Sequence, residues 1–462
     1  MPTATASIAP AGRLVPPTVS PPSGPLPLWR LLPRVVRNPL LSLPEQVYNK
    51  PVLGVVQAGR TTLWVAAPEI IEEVLLARAD DFSKSPIEKR VFDLSLGDGV
   101  LTSEGALWRW QRRVMAPLFR ASEITGYVPT MSAVAAETLA RWRASAPGTV
   151  QRVDAEMTEA TFAVIARTML TGGEPAEGEA IKRATHRYLE RVSWEVAYGL
   201  LRVPTWVWNP AKRQMREAAA ELRGAVDAIV ARRSAAREPG IDLLGRLLAA
   251  RDPDTGEPMP RPRLINNLLT LLEAGHETTA KALTWTLYLL ARAPEWQARV
   301  RAEVEAVAGA APIGADHIAR LGLTQQVLKE AIRLYPPAPV MARQARKAMT
   351  IAGHALPEGG MVIIPIFAIH RHRALWKDPD AFDPGRFAPE LEAQMPRAQF
   401  MPFGAGPRIC IGAAFAMIEA TAILATLVRG ATFAWDGRHL PEPVSRITLR
   451  PKGGMPLHVT VR

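Results

Sequence analysis

The sequence predicts a mainly α-helical protein with a small β-rich subdomain. Apolar residues recur at helical spacing from Val128 to Ala250, and another helical pattern runs from Ala413 to Gly430. The longest pattern, Leu264 to Ala293, would span about 45 Å and is apolar nearly all round, so we expect it to cross the core. Runs rich in β-forming residues lie in Val52–Ala66, in Met341–Pro365 and after the Ala413–Gly430 helix.

The composition is that of an ordinary soluble globular protein. Apolar residues make up 48% of the 462 residues and charged residues 22%. The single cysteine excludes an intramolecular disulfide and fits a reducing compartment. The net charge is +12, yet no arginine-rich run or nucleic-acid module accompanies it, and an acidic protein partner explains the charge equally well. We therefore predict no nucleic-acid ligand.

The N-terminal region shows no secretory or membrane signal. Residues 1–27 are rich in Pro, Ala, Ser and Thr and lack an apolar block. The following stretch, Trp29 to Leu43, is interrupted by arginines and prolines, whereas a span needs about 20 mostly apolar residues. We expect a cytoplasmic protein without a membrane anchor, in which residues 1–24 form a flexible tail and residues 25–462 a single domain.

The first third of the chain predicts a hairpin, a long loop and a helix. The hairpin turns at Gly59-Arg60, and Pro68 opens a helix that runs to Ala77. Phe82 to Thr102 shows little periodicity and is expected to be irregular. Gly105 to Phe119 is expected to be helical.

Trp108 and Arg112 lie four residues apart on that helix and therefore share one face. Together they could present an indole N–H and a guanidinium to one anionic group. The alternative is a surface helix with an aromatic anchor.

The middle of the longest helical pattern departs from the usual composition of a buried helix. Ala274-Gly275-His276-Glu277-Thr278-Thr279 contains a glycine, a charged residue and two β-branched hydroxyl residues, which are poor helix formers. Leu271, Ala274, Gly275 and Thr278 share one face, where small residues would leave room for a ligand. A packing notch beside a solvent-facing Glu277 is the alternative, although such local conflict in a core element tends to mark function.

A further helix carries Glu330 and Arg333, which are neighbours at i, i+3. An exposed pair would contribute well under about 1 kcal/mol to stability. A buried pair would instead be retained for the geometry that it fixes.

Cys410 lies in the loop Phe403-Gly-Ala-Gly-Pro-Arg-Ile-Cys-Ile-Gly412, just before the Ala413–Gly430 helix. A lone cysteine is usually a small buried hydrophobe. Here glycines precede and follow it, and glycines let the main chain approach a ligand closely. The loop is therefore predicted to hold something flat and bulky against the sulfur.

Four motifs in this order resemble the cytochrome P450 family of haem-thiolate monooxygenases. They are Ala274-Gly-His-Glu-Thr-Thr279, Glu330-Ala-Ile-Arg333, Phe382-Asp-Pro-Gly-Arg-Phe387 and the cysteine loop. The glutamate–arginine motif is common by itself, whereas the cysteine loop is specific. The resemblance covers residues 25–462 and implies the P450 fold, with haem b between the long central helix and the helix after the cysteine loop.

The resemblance also implies roles for individual residues at the haem. Cys410 would be the iron ligand, its thiolate favoured by the helix N-terminus and tuned by N–H groups near Gly412. Phe403 would shield that side of the haem. The residues implied at the haem propionates are Trp108, Arg112, Arg343 and Arg408, with His370 as a weaker candidate.

Above the iron, Glu277 and Thr278 match the family's acid–alcohol pair, which handles the two protons consumed when O–O is cleaved. Glu330, Arg333 and Arg386 match its structural triad. The residues expected in the substrate pocket are Leu271, Ala274, Gly275, Ala338 and Val340, and their apolar character favours a small hydrophobic substrate.

The resemblance finally implies a source of electrons. No reductase follows Cys410 in the sequence, so a ferredoxin or flavodoxin with its reductase would deliver electrons from NAD(P)H, with Arg109, Arg112 and Arg113 as candidate contacts. Two alternatives stay open: a peroxide-driven peroxygenase and a haem-binding protein without turnover, such as a gas sensor. The acid–alcohol pair speaks against both.

Overall fold

The computed structural model describes residues 13–57, 59–146, 148–169, 175–235, 240, 242–252 and 254–462. The helices are α1 Leu28–Arg37, α2 Pro68–Glu72, α3 Pro86–Leu96, α4 Gly105–Met115, α5 Ala121–Ile124, α6 Val128–Ala144, α7 Val153–Met169, α8 Pro175–Leu200, α9 Lys212–Ala235, α10 Leu243–Ala249, α11 Arg261–Arg292, α12 Pro294–Ala308, α13 Ala315–Ile318, α14 Gly322–Leu334, α15 Ile366–Ile369, α16 Pro389–Glu392 and α17 Ala413–Gly430. The strands are β1 Val52–Gln57, β2 Arg60–Val65, β3 Phe82–Lys84, β4 Val150–Arg152, β5 Met341–Ala345, β6 Met349–Ile351, β7 His354–Leu356, β8 Met361–Ile364, β9 Ala431–Ala434, β10 Pro443–Ser445, β11 Leu449–Pro451 and β12 Pro456–Val461. The predicted mainly α class with a small β portion is confirmed.

The chain divides into two compact units. The larger unit contains residues 13–82, 125–161 and 277–462, and the smaller unit contains residues 83–124 and 162–276. The single domain expected for residues 25–462 therefore stays a proposal.

The principal sheet of the larger unit is built around β2 and β8. β1 pairs with β2 in antiparallel register from Val52↔Val65 to Gln57↔Arg60, so the predicted hairpin is confirmed. β8 runs parallel to β2 and antiparallel to β5. Alternating residues of β2 and β8, including Leu63 and Val362, are buried in one hydrophobic core with Ile71 of α2.

The core of the larger unit is centred on α17. Its residues from Ile418 to Val428 are all buried, and the helix packs against α6, α12 and α14. By length and composition it could cross a membrane, but 67% of it lies inside the protein, as in the core helix of a soluble fold. The helix begins at Ala413, directly after the cysteine loop, as the sequence predicts.

The smaller unit is helical and holds one element that the sequence did not predict. α8 and α9 pack side by side, and α3 packs against both. The expectation of an irregular segment from Phe82 to Thr102 is wrong where α3 lies. Ser85 begins this helix as its N-cap, with its hydroxyl accepting from the Ile87 N–H at 3.2 Å, and Gly97 ends it at a φ of 52°.

The N-terminal segment makes specific contacts where the structure describes it. The first twelve residues of the predicted tail lie outside the described part of the chain. From residue 13 onwards, Tyr335 donates its hydroxyl hydrogen to the Pro17 carbonyl at 2.7 Å, and the Phe382 N–H donates to the Leu14 carbonyl at 2.8 Å. Val19 is buried. Residues 13–24 are thus held against the larger unit.

Candidate active site

The loop that carries Cys410 is shaped by its glycines. Gly404 and Gly406 adopt φ angles of 76° and 72°, which favour glycine. A Cβ at Gly406 would overlap the carbonyl oxygen of Leu75, so the loop lies too close to that backbone for any side chain. The Cys410 N–H donates to the Phe403 carbonyl at 2.9 Å, which closes the loop into one turn.

The Cys410 side chain is exposed, unlike most lone cysteines. It lies three residues before Ala413, the first residue of α17, whose N-terminal dipole favours a negative charge. A Cβ at Gly412 would lie 4.0 Å from the sulfur, so the main chain runs beside it without covering it. An exposed sulfur at the start of a helix, within an open glycine loop, fits a haem iron ligand.

The acid–alcohol pair predicted from the sequence lies in the middle of α11. Glu277 and Thr278 are both half-buried. Thr448, in the turn between β10 and β11, donates its hydroxyl hydrogen to Glu277 Oε1 at 2.8 Å. The sequence analysis missed Thr448, because its 171-residue separation from Glu277 gives no local pattern.

Lys281, one helical turn after Glu277 on α11, lies near the Glu277 carboxylate. Burial lowers the pKa of Lys281, while the nearby carboxylates of Glu277 and Asp154 act in the opposite direction. Its ammonium donates to the Thr158 hydroxyl at 3.2 Å. The Glu277 carboxylate therefore accepts one hydroxyl hydrogen bond and lies near one cation.

Glu419, on the helix that follows the cysteine loop, is a buried acid. Glu419 on α17 is completely buried, and burial raises its pKa to about 8, an effect partly opposed by the nearby Thr279 side chain. Thr279 follows Thr278 on α11. Glu419 is accordingly a neutral carboxylic acid at neutral pH, and the sequence analysis did not single it out.

The Glu330–Arg333 pair is fully buried. Arg333 donates to Glu330 Oε2 at 2.6 Å and to Oε1 at 2.8 Å, and its other N–H groups reach three backbone carbonyls, those of His370, Pro379 and Ala381. The guanidinium of Arg386 lies 3.5 Å from Glu330 Oε1. The surface alternative considered for the pair is therefore excluded.

The residues implied at the haem propionates are buried or half-buried. Arg343 is nearly buried on β5 and donates to the Ala342 carbonyl at 2.8 Å, and Arg408 is half-buried in the cysteine loop. Trp108 and Arg112 are half-buried on α4 in the smaller unit.

His370 does not suit the propionate role considered for it. It is completely buried, and its Nε2 accepts a hydrogen bond from the Met401 N–H at 3.1 Å. Burial, together with the charges of Arg333 and Arg371, lowers its pKa to about 3, so the ring is neutral. A neutral, enclosed imidazole supplies no cation to a carboxylate.

The predicted pocket residues differ in their surroundings. Ala338 and Val340 of the larger unit are exposed, as is Ala274 on α11, whereas Leu271 is buried. A Cβ at Gly275 would lie 2.5 Å from Ile165 Cδ1 of α7. This close approach of two helices accounts for Gly275, so the packing alternative explains that glycine.

Comparison with known proteins identifies the family of the chain. The family model for cytochrome P450 matches residues 20–457. Cyclooctatin synthase of Streptomyces melanosporofaciens is 33% identical over 95% of this chain and 93% of its own length. The 11-oxo-beta-amyrin 30-oxidase of Glycyrrhiza uralensis is 32% identical over 85% of this chain and 77% of its own.

Structural comparison points to the same family. The crystal structure of the haem domain of cytochrome P450DA superposes with a TM-score of 0.78 and 28% sequence identity, covering 89% of this chain and 90% of that one. The fold and the cysteine loop therefore define a haem-dependent oxidoreductase. The chain belongs to the cytochrome P450 family, whose members are monooxygenases that oxidise organic substrates.

Proposed function

We propose that this P450 inserts one atom of dioxygen into a small hydrophobic substrate, by hydroxylation or epoxidation, with electrons from a separate redox protein. The observation that carries the proposal is the exposed Cys410 thiol at the start of α17. Haem b would be bound with Cys410 as iron ligand and would supply dioxygen activation under thiolate ligation. Its other proposed contacts are Phe403, Gly412, Arg343, Arg408, Trp108 and Arg112.

Glu277 and Thr278 are proposed as the residues that handle protons. The Thr448 hydroxyl holds Glu277 Oε1, and Lys281 lies near the carboxylate. A positioned carboxylate can take a proton from solvent at its other oxygen and pass it on. The Thr278 hydroxyl would hold the water that receives this proton.

Sequence identity to relatives does not single out one substrate, because equally similar relatives are named for different substrates. The similar relatives include an enzyme named for oxidising 11-oxo-beta-amyrin and another, of Arabidopsis thaliana, named cytokinin hydroxylase, both 32% identical to this chain. Exposed apolar side chains at Ala338 and Val340 support a hydrophobic ligand. Leu271 and Ala274 are proposed to contribute to the same preference.

The proposed electron donor is a ferredoxin or flavodoxin whose reductase uses NAD(P)H, which implies a cytoplasmic enzyme. The net charge of +12 favours an acidic donor. Arg113, one of the candidate contacts, forms ion pairs with Asp254 at 2.7 Å and with Asp252 at 3.5 Å. Arg109 and Arg113 are both exposed on α4, and Arg109 is the proposed contact that is tested below.

The test compares product formation driven by NADPH with redox proteins and product formation driven by hydrogen peroxide alone. Candidate substrates come from ligands that shift the haem from low to high spin. We expect product with NADPH, ferredoxin and ferredoxin reductase, and a turnover about 100-fold lower for Glu277→Gln. Arg109→Glu should raise the apparent KM for ferredoxin and leave substrate binding unchanged, with Arg320→Glu as an exposed control.

Two outcomes would replace the proposal. Equal or faster product formation with hydrogen peroxide alone would identify a peroxygenase. A haem protein that binds ligands but yields no product with any electron source would identify a sensor or carrier.

A further inference from the structure

Lys281 carries a charge in a stretch of α11 that is otherwise apolar or hydroxyl-bearing. Between Glu277 and Arg292 it is the one residue with a charged side chain, and residues 282–290 after it are all buried. Taking an ammonium group out of water is costly unless neighbouring groups compensate it. A local conflict of this kind in a core helix tends to mark function. Neither the core packing nor a hydrophobic substrate requires a lysine at this position.

Three elements surround the Lys281 ammonium. Its Nζ donates to the Thr158 hydroxyl of α7 at 3.2 Å, and that hydroxyl donates to the Asp154 carbonyl at 2.8 Å. Glu277 lies one turn before Lys281 on α11, the favourable order for an acid–base pair on a helix. Burial lowers the pKa of Lys281 below its ordinary value of 10.5, the carboxylates of Glu277 and Asp154 oppose this effect, and the charge of Arg450 on β11 adds to it.

Asp154 connects this group to the protein surface. Its two carboxylate oxygens accept from Arg152 at 3.1 Å each, and Oδ1 also accepts from the Met455 N–H at 2.7 Å. The side chain of Arg152 is 57% exposed and that of Asp154 is 18% exposed, while Lys281 is half-buried. A lysine in such a place buries its apolar stem and turns its ammonium towards water. Lys281 can therefore exchange protons with solvent on the side of α7.

A lysine with a lowered pKa can carry protons, because its ammonium releases one more readily than an ordinary lysine does. The Lys281 ammonium gives a proton to the Glu277 carboxylate, which leaves a neutral amine and a carboxylic acid. The amine then takes a proton from a hydronium ion or a buffer acid, and this restores the ammonium. Thr448 holds Oε1 of Glu277 at 2.8 Å, so the proton arrives at Oε2.

We propose that Lys281 takes protons from solvent and passes them to Glu277, while Thr158 and Asp154 hold its ammonium in position. This assignment rests on the proton-handling role that is proposed for Glu277. Protons enter beside Asp154 and reach Glu277 through Lys281. A purely structural ion pair would need the charge of Lys281 but not its ability to lose a proton, and this difference can be measured.

Turnover of the haem-loaded enzyme with NADPH and redox proteins separates the two roles. Lys281→Arg keeps a positive charge and N–H donors, but an arginine does not release its proton in proteins. Lys281→Met removes both the charge and the proton. We expect each variant to form product at least about tenfold more slowly than the wild type. Lys347→Met is the matched control, because Lys347 is exposed and pairs with Asp81 at 2.7 Å, and it should retain wild-type turnover.

The pH profile and the solvent isotope effect report on the proton itself. As pH rises through the pKa of Lys281, wild-type turnover should fall, because the neutral amine has no proton to give. Lys281→Arg should lack this decline. Its turnover should also slow more in heavy water than that of the wild type, because proton delivery then limits the rate. Unchanged haem content and thermal midpoint would show that both variants are folded.

A titration followed by NMR tests Lys281 without any turnover. Lysine is labelled with ¹³C at Cε, and the Lys281 resonance is the one that Lys281→Met lacks. We expect its midpoint to lie below 10.5 and to fall further in Glu277→Gln, because that variant loses a carboxylate that raises the pKa of Lys281.

Either of two results would overturn the relay alone. The first is a Lys281→Arg variant with wild-type turnover and the wild-type pH profile, which would mean that only the charge matters. The second is a Lys281 resonance that titrates at the ordinary value and does not respond to Glu277→Gln. A wild type that yields no product with any electron source would instead overturn the proposed function and the relay together.

Discussion

Thr448 donates a hydrogen bond of 2.8 Å to Glu277, and this contact ties the turn between β10 and β11 to the middle of α11. Two helical turns further along, the indole N–H of Trp285 donates to the Leu449 carbonyl at 3.3 Å. The β10–β11 hairpin is thus fastened to α11 at two points on one face. It fixes the side-chain conformation of the acid on which the proposed proton delivery depends.

Replacing Thr448 by valine should impair proton delivery and leave the fold intact. The valine has nearly the same shape but cannot donate to Glu277, and a hydrogen bond to a charged group is worth about 1.5–3 kcal/mol. We expect the fraction of NADPH consumption that ends in product to fall roughly fivefold to tenfold. Thr448→Ser, which keeps the hydroxyl, should retain near-normal coupling. Equal coupling in both variants would contradict the positioning role of the hydroxyl.

Glu419 should make stability depend on pH. Its pKa is about 8 in the folded protein, raised from 4.5 by burial. Between pH 4.5 and 8 the unfolded chain releases this proton and the folded protein keeps it, so rising pH destabilises the fold, by on the order of 4 kcal/mol in total. Thermal midpoints measured across this range should decline less steeply for Glu419→Gln. Parallel curves for the two proteins would show that Glu419 is not neutral when folded.

Arg333 should tolerate no substitution, not even lysine. Its guanidinium makes two hydrogen bonds to Glu330 and three to carbonyls, and an ammonium cannot reproduce that planar set. Breaking a buried ion pair costs about 3–5 kcal/mol. We expect Arg333→Lys to lower the thermal midpoint and the haem content sharply.

Lys329→Ala is the matched control on the same helix. Lys329 pairs with Glu392 at 2.6 Å near the surface, where such a pair contributes at most about 1 kcal/mol. A comparable loss of stability in both variants would mean that burial does not distinguish the two ion pairs.

Two glycines of the cysteine loop should respond oppositely to alanine, because the proposed contribution of Gly412 to haem binding is a main-chain N–H, which alanine keeps. Gly406 has a φ of 72° and would place a Cβ into the Leu75 carbonyl, so Gly406→Ala must displace the loop. Gly412 has a φ of −89° and room for a Cβ 4.0 Å from the Cys410 sulfur. We expect haem loss in Gly406→Ala and retention in Gly412→Ala, measured by haem absorbance per protein. Retention in both would show that the loop does not depend on its close approach to Leu75.

Elements with strong local patterns were predictable from the sequence. The limits of α17 agree with the prediction, and those of α11 agree within three residues, because both are long and apolar. The helix α3 was missed, since only Val91, Ser95 and Leu96 are buried along it and the apolar period is weak. The signals that were present, Ser85 as N-cap and Pro86 after it, are short-range ones.

Contacts between distant segments were not predictable. Cys410, Glu277 and Arg333 stand in motifs, so their residue types could be read directly. Thr448 stands in no motif. The raised pKa of Glu419 depends on its burial, and the small and apolar residues around it in the sequence only suggest that burial.

The carbon monoxide complex of the reduced protein tests most directly whether Cys410 is the haem ligand. Thiolate ligation gives this complex a strongly red-shifted Soret band. We predict this band in the wild type and its loss in Cys410→His, provided that the variant still contains haem. A wild type that is folded and haem-loaded but lacks the red-shifted band, or a Cys410→His variant that keeps it, would contradict the assignment of Cys410.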